Sequence, residues 1–477
     1  MKKYDVVLIG TGSGMEIVEA IIQNKPDTKA AVIDKDEPGG ICLTRGCIPS
    51  KLLIYPADIV RTVEKSPKFG IHTEIKRIDF EAVMERMRSI INRDINIIRN
   101  GLSNSKNIDY YTDQAEFTAP YTIKVENETI TSKMIFLCTG SRPSIPPIEG
   151  LQETGYLTSD TILQINQLPR SVAIIGGGYI AAEYGHFLSA MGSKVTIIGR
   201  NPQFIPEEEP EISAIAKGEM QKHVTVLTNH EVRKAEVTSE GKKLTVFDRY
   251  NKKETVIVAD EVLVATGRRS NSDILHSEKA GIETDSKGFI IADEYMQASQ
   301  RGIWVLGDAD GKFLFKHVAN YEARVVYYNA VLNKKLKVDY HAVPHAVFTD
   351  PEIASVALRE KEALEKYGKD NVLIGFYKYA DTAKGEAMAR KYDFVKVIVK
   401  RDTGKILGAH IIGPYASVLI QEIVNLMYTE KQNFKPLDEA MHIHPALSEV
   451  VARAFQFFMI PDQYHHYLEE HSGLPLG

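Results

Sequence analysis

Cysteine is scarce in this chain, with three residues in 477. That is far too few for the disulfide scaffold of a secreted domain, and it fits a reducing compartment, so the expected location is cytoplasmic. Long apolar runs are missing as well: none reaches the ~18 residues that a membrane-spanning helix needs. The start, Met1-Lys2-Lys3-Tyr4, does not lead into an export signal, because the apolar run Val6 to Ile9 breaks at Gly10-Thr11-Gly12-Ser13-Gly14 and soon meets Glu16. A net charge of only −5 supplies neither a strongly basic face for nucleic acid nor a membrane-seeking patch. No low-complexity linker appears, and no cluster of ligand-type residues has the spacing of a metal site. What remains, 44% hydrophobic and 25% charged, is the balance of a multi-domain globular protein with ample core.

Against that scarcity, two of the three cysteines stand five residues apart, in the run Gly39-Gly40-Ile41-Cys42-Leu43-Thr44-Arg45-Gly46-Cys47-Ile48-Pro49-Ser50-Lys51. Such a pair closes a small ring as a disulfide, opens as a dithiol, and so carries two electrons. A helix beginning after Pro49 would aim its positive end at the pair and lower a thiol pKa. The third cysteine, Cys138, falls in an apolar strand pattern and reads as a structural thiol.

Two glycine turns organise the chain. Tyr4 to Ile9 has the continuous apolar character of a parallel strand buried on both faces, and it is followed by Gly10, Gly12 and Gly14 and then by the helical pattern Ile17, Ala20, Ile21. A second apolar run ends at Ile33-Asp34. The glycines allow backbone to approach a pyrophosphate at a helix N-terminus, and Asp34 is placed to bind ribose hydroxyls, although Met15 stands where the usual third glycine would be. The same design recurs in Ser171 to Glu183, where Gly176, Gly178 and Ala181 fit the spacing, followed by the strand Lys194 to Ile198. The acidic residue that NAD prefers at that strand end is replaced by Gly199-Arg200-Asn201. Arg200 reads as a cation for the 2′-phosphate of NADP, or as a solvated surface arginine. Two such turns imply two dinucleotides in two domains.

Phe136 to Pro143 and Val262 to Arg269 are apolar strands ending in Thr-Gly and then arginine, and both read as crossings between domains. Trp304 to Asp308 is another strand ending in an acid placed for a ribityl or ribose hydroxyl. Phe80 to Asn100 and Glu360 to Lys369 read as surface helices, and from about Tyr340 alternating strands, Val395 to Val399 and Ile406 to Ile412, take over. The expected fold class is α/β, with two Rossmann-like dinucleotide-binding domains and a C-terminal α+β dimerisation domain. The expected division is 1–147 with 270–339, then 148–269, then 340–477.

With these pieces in order, the chain resembles the FAD-dependent pyridine-nucleotide disulfide oxidoreductases from Gly10 to Glu449, most specifically in Cys42 to Lys51, Gly176 to Glu183, Gly307-Asp308 and His442-Ile443-His444-Pro445-Ala446-Leu447-Ser448-Glu449. The resemblance implies that NADH or NADPH passes hydride to FAD and that the flavin reduces a Cys42–Cys47 disulfide. Cys47 is then the flavin-side thiolate, and Cys42 exchanges with substrate. Lys51 pairs with Glu183 beside the flavin. His444, at a helix start made by Pro445 and oriented by Glu449, reaches across a homodimer interface into the partner's site. Tyr179 is either a lid over the nicotinamide pocket or a packing tyrosine. The FAD contacts implied are Gly10, Gly12, Gly14, Asp34, Gly40, Lys51, Thr139, Gly140, Gly307 and Asp308. Those for NAD(P) are Gly176, Gly178, Tyr179, Ile180, Glu183, Arg200 and Gly267.

The sequence departs from the family pattern at Ile41, Thr44 and Arg45, which border the pair, and the second NADP arginine is replaced by Pro206 and Glu207. The tail from Tyr464 has no cysteine pair, which disfavours mercury reduction, and both redox cysteines are present, which disfavours a transhydrogenase. Dihydrolipoamide dehydrogenase stands slightly first by motif agreement, and it would bring a lipoyl substrate and a 2-oxoacid dehydrogenase complex. Second is an NADPH-dependent reductase of a low-molecular-weight disulfide. A flavin-binding electron-transfer or interaction protein with a vestigial disulfide is a different class, and it predicts little loss in Cys42→Ser.

Overall fold

The computed structural model describes residues 1–470 and 472–475. Its first sheet is parallel and runs, from one edge, Ile108–Tyr111, Ala30–Ile33, Val6–Ile9, Ile135–Leu137, Ile303–Val305. Every residue of Val6–Ile9 and Ala30–Ile33 is buried, because helices cover one face and the strands Ala115–Ala119, Thr122–Val125 and Glu128–Thr131 cover the other; the apolar runs are continuous for that reason. The second parallel sheet runs Thr225–Leu227, Lys194–Ile198, Ser171–Ile175, Glu261–Val264, Leu157–Thr158. In both, strand order reverses beside the strand that feeds the glycine turn, which opens a crevice at the carboxyl ends.

The two turns share one steric detail. Gly10 has φ +98° and a Cβ there would sit 2.2 Å from the Cys138 carbonyl oxygen; Gly176 has φ +135° and its Cβ would sit 2.1 Å from that of Ala265. Each glycine is squeezed against the neighbouring strand at the reversal, so no side chain fits at either position.

The third sheet is antiparallel, in the order Pro344–Val347, Ile353–Ala357, Ile406–Ile412, Phe394–Lys400, Val372–Lys378, Phe458–Met459. Helices Ala416–Met427 and Ser448–Ala454 pack against it through a separate apolar core. The fold is therefore two Rossmann-like α/β units with a C-terminal α+β unit. Ser141–Pro143 pairs antiparallel with Arg268–Ser270, so the chain leaving the first sheet lies beside the chain returning to it.

The helix expected over Glu360 to Lys369 spans Glu360–Tyr367, but its first residue is not a surface charge. Glu360 is buried against Lys396, whose fully buried ammonium also holds Glu209 at 3.1 Å and Glu211 at 2.6 Å. Glu209, Glu211 and Glu360 are the one group of three metal-capable side chains among the described residues, and Lys396 bonds all three. This cluster ties the second unit to the third sheet.

Candidate active site

Gly39 and Gly40 take positive φ, +114° and +70°, and a Cβ on Gly40 would lie 2.7 Å from Gly12 Cα. The cysteine loop thus packs directly on the first glycine turn. Cys42 sits in the short helix Gly40–Thr44, and Cys47 is the first residue of the helix Cys47–Lys65. The expectation of a helix starting after Pro49 is corrected by three residues, to Cys47: the first four N–H groups of a helix have no internal partner, so a proline is tolerated at its third position. Cys47 itself, not the loop before it, occupies the positive helix end.

Cys47 is exposed on the cavity wall and its thiol is pushed down to about 7. The leading cause is a hydrogen bond donated by the Cys42 thiol; burial opposes it, and the Lys51 ammonium helps. Cys42 is correspondingly held well above the ordinary thiol range by that bond and by burial. The reduced pair therefore holds one thiolate, on Cys47. Cys138, one residue past its strand, is pushed up by burial, and its Sγ lies 2.3 Å from where a Gly14 Cβ would be. Gly14 does not line the cavity; it lets the first helix pack closely against Leu8 and Cys138.

The cysteines open into a cavity of about 830 Å³ bordered by all three units. Gly10, Gly12, Gly40, Thr139, Gly140 and Gly307 form its backbone walls, and the space a Gly12 Cβ would fill is empty to 4 Å. Asp34 accepts from the Thr11 backbone N–H at 2.8 Å and from the Thr11 hydroxyl, and burial pushes its carboxyl up. Asp308 accepts from the Ser141 hydroxyl and is likewise pushed up by burial. Thr139 Oγ1 is buried with no partner. An open glycine cradle, an orphaned hydroxyl and two desolvated carboxyls on one cavity fit the phosphates and polyol chain of FAD. Lys316, which the sequence reading missed, donates to Ser13 at 2.8 Å on the same wall; nothing in its local sequence marks it.

Lys51 and Glu183 meet as expected, with Nζ 2.8 and 2.7 Å from the two carboxylate oxygens. Glu183 also accepts from the Phe348 backbone N–H at 3.1 Å, and Lys51 Nζ stands 4.5 Å from the Phe348 ring centre. Tyr179 and Ile180 line the cavity. The Tyr179 ring stacks on His345 at 5.5 Å, and His345 on Phe315 at 5.8 Å. His345 is in turn 2.8 Å from the fully buried Glu208, which accepts from Ser355. Sequence reasoning missed this stack because its members come from four separate segments.

His444 Nδ1 lies 3.1 Å from both oxygens of Glu449, and that hydrogen bond holds the Glu449 carboxyl below its usual range. The helix starts at Ser448, however, so Pro445 is not its first residue. His444 stands four residues before the helix, and Glu449 reaches back to it and to the Ala446 N–H at 3.3 Å. Neither residue borders the cavity of its own chain. His444 is 67% exposed, and neighbouring Met441 and Ile443 are exposed apolar side chains. Gly176, Gly178, Gly267 and Arg200 lie in the second crevice, apart from the cavity.

A dithiol with one stabilised thiolate, set in a cavity whose lining fits FAD beside a second dinucleotide unit, defines a flavin- and nicotinamide-dependent oxidoreductase. The chain belongs to the pyridine nucleotide-disulphide oxidoreductase family, whose model matches residues 4–323, with the family's dimerisation domain matching 343–455. The cofactors of this family are FAD and NAD(P)H. The chain is 36% identical over 471 residues to a mycothione reductase of Mycobacterium tuberculosis, covering 95% of this chain and 99% of that one. It is 33% identical over 469 residues to a dihydrolipoyl dehydrogenase of Synechocystis, covering 95% and 98%. Among solved structures, the Cu(II) complex of the HOCl-induced flavoprotein disulfide reductase RclA from Escherichia coli is similar with a TM-score of 0.84 at 26% identity, covering 96% and 99%. No helix among the described residues is long and apolar enough to cross a membrane.

Proposed function

We propose that the chain is an NADPH-dependent reductase of a low-molecular-weight disulfide, working as a homodimer. The observation that carries the chemistry is the split pair, with Cys47 as thiolate and Cys42 held as thiol by its bond to Cys47 and by burial. FAD, when bound, supplies the two-electron link between the nicotinamide and the Cys42–Cys47 disulfide.

A protonated Cys42 cannot attack, so it needs a base. Glu183 is committed to Lys51, whereas His444 is exposed and bonds Glu449 through Nδ1, leaving Nε2 available. His444 of the partner subunit takes the Cys42 proton as Cys42 Sγ attacks one sulfur of the substrate. The substrate S–S bond breaks, a mixed disulfide forms, and the leaving thiolate takes the proton from the imidazole. Cys47 thiolate then attacks Cys42 Sγ, forming the internal disulfide and releasing the second thiolate, which takes up a solvent proton.

The same parts run in reverse would oxidise a dihydrolipoyl group with NAD, the reading that motif agreement ranked first. Gly199 and Arg200 at the nucleotide strand end favour the NADPH direction instead, and the similarity to mycothione reductases supports it. The test is anaerobic titration of the flavoprotein with NADPH and NADH, followed by reoxidation with lipoamide and a panel of thiol disulfides. Uptake of two reducing equivalents beyond the flavin is expected, with fastest reoxidation by a low-molecular-weight disulfide. Failure to take up those equivalents rules out a working dithiol, and preferential turnover of lipoamide with NAD moves the assignment to the dehydrogenase.

A further inference from the structure

The second crevice contains a pairing that no sequence motif predicts. The strand Lys194–Ile198 runs into Gly199-Arg200-Asn201. Gly199 packs against the glycine turn: a Cβ on it would lie 3.3 Å from Gly177 Cα, and a Cβ on Gly177 would lie 3.2 Å from Gly199 Cα. A side chain at position 199 would require the turn to give by a few tenths of an ångström, and the chain has no acid there.

Arg200 follows, exposed, and its guanidinium makes no hydrogen bond or ion pair among the described residues. Its carbonyl accepts a hydrogen bond from Arg249 Nη1 at 2.9 Å. Arg249 lies just past the strand Gly241–Asp248, in the connection to Lys253–Ala259. Backbone bonds fix that connection to the strand end: Arg249 N–H donates to Asn229 at 2.9 Å, Asn229 to Asn201 at 2.8 Å and His230 to Gly199 at 2.9 Å. Glu231 lies 3.8 Å from Arg249 Nε and is shared with Arg233, while Asp248, the residue before Arg249, serves the Tyr250 and Asn251 N–H groups and lies 3.7 Å from His230. Arg249 therefore brings a second guanidinium to the end of the nucleotide strand, on backbone that is itself anchored.

We propose that Arg249, delivered by the hairpin, is the second cation of a 2′-phosphate pocket built with Arg200. It replaces the arginine missing where Pro206 and Glu207 stand, and it is a specificity-determining residue for NADPH. This rests on the NADPH-dependent reading above, but its test does not use the disulfide. A guanidinium bonds phosphate with charge-assisted N–H donors, and loss of one such contact reads as about 10- to 100-fold in affinity.

The experiment is calorimetric titration of the FAD-loaded protein with 2′,5′-ADP and with 5′-AMP, which differ only in the 2′-phosphate. Wild type is expected to prefer 2′,5′-ADP. Arg249→Ala is expected to lose that preference by about tenfold or more with 5′-AMP binding unchanged. Arg249→Gln keeps a donor for the Arg200 carbonyl without the charge, and it is expected to behave like Arg249→Ala. If either variant weakens both ligands equally, if Arg249→Gln binds 2′,5′-ADP like wild type, or if wild type does not distinguish the two ligands, the assignment is overturned. A protein that binds 2′,5′-ADP through Arg249 yet reduces no low-molecular-weight disulfide would refute the proposed substrate and leave the pocket standing.

Discussion

Replacing Cys42 by alanine removes the largest influence holding Cys47 as a thiolate. In the intact pair Cys47 is pushed down to about 7, first by the Cys42 thiol and then by Lys51 against the opposing effects of burial and Glu183. Without the donor, the Cys47 midpoint should move up to roughly 8.5, the ordinary cysteine range, which corresponds to ~2 kcal/mol of lost thiolate stabilisation. At pH 7 the ionised fraction then drops from about one half to ~3%, roughly a 15-fold change. Nucleophilicity rises as pKa rises and recovers about fivefold of that. The alkylation rate at pH 7 should therefore fall only ~3-fold, while its midpoint moves by ~1.5 pH units.

The assay is the pH dependence of Cys47 alkylation by iodoacetamide in reduced protein, read by mass spectrometry. Cys138 does not interfere, because it is buried and pushed up well beyond the range scanned. Cys42→Ser, which keeps a hydroxyl donor, should fall between wild type and Cys42→Ala. Lys51→Met should raise the midpoint by less than Cys42→Ala. An unchanged midpoint in Cys42→Ala would show that the helix terminus and Lys51 hold the thiolate, and it would refute the donor argument.

Lys396→Met leaves Glu209, Glu211 and Glu360 buried without their cation and should cost about 3–5 kcal/mol; an unchanged urea midpoint of the holoprotein would count against the cluster as a joint. Burial alone would raise Glu211, but Lys396 and Tyr464 outweigh it and hold it low. Its contribution is therefore present above pH 4.5 and lost as pH falls below it, so wild type and Lys396→Met should converge in acid. Gly10→Ala, with its Cβ 2.2 Å from a carbonyl oxygen, should fold poorly, whereas Gly12→Ala enters open space and should fold normally with reduced flavin content, measured as absorbance per chain. Mixed dimers of Cys42→Ala and His444→Ala chains should recover about a quarter of wild-type disulfide turnover from two inactive parents, and no recovery would place the base within one chain.

What could be read in advance depended on how far each constraint reaches along the chain. Gly10 and Gly176 were legible because positive φ and a carbonyl at van der Waals range leave glycine no substitute, so a local motif records a tertiary contact. The cysteine pair was legible because both members lie on one loop. The start of the Cys47–Lys65 helix was misplaced because proline suits the first helical position but is also tolerated two residues later. Glu360, at the start of a helix read as a surface element, and Lys396, inside a strand, gave no sign of each other, and only packing of the second unit against the third sheet buries them together. The Tyr179–His345–Phe315 stack and Arg249 were invisible for the same reason: their partners are supplied by distant segments, and no local spacing encodes such a meeting.

The junction at Glu183 shows why the donor from Cys42 has to dominate. Glu183 belongs to the helix Tyr179–Met191 of the second unit, Lys51 to the dithiol helix of the first, and Phe348 to the start of the third. All three units are pinned by two carboxylate oxygens. The same carboxylate opposes the field that Lys51 exerts on Cys47: the ammonium lowers the thiol and the carboxylate raises it. A lysine left alone beside Cys47 would hold the thiolate by charge in either redox state of Cys42. With Glu183 in place, the thiolate depends chiefly on a hydrogen bond that exists only while Cys42 carries a proton. Removing that proton, the step assigned to His444 of the partner subunit, turns Cys42 into the attacking sulfur and at the same moment releases Cys47 from the interaction that stabilised it, so both thiols become reactive through one proton transfer.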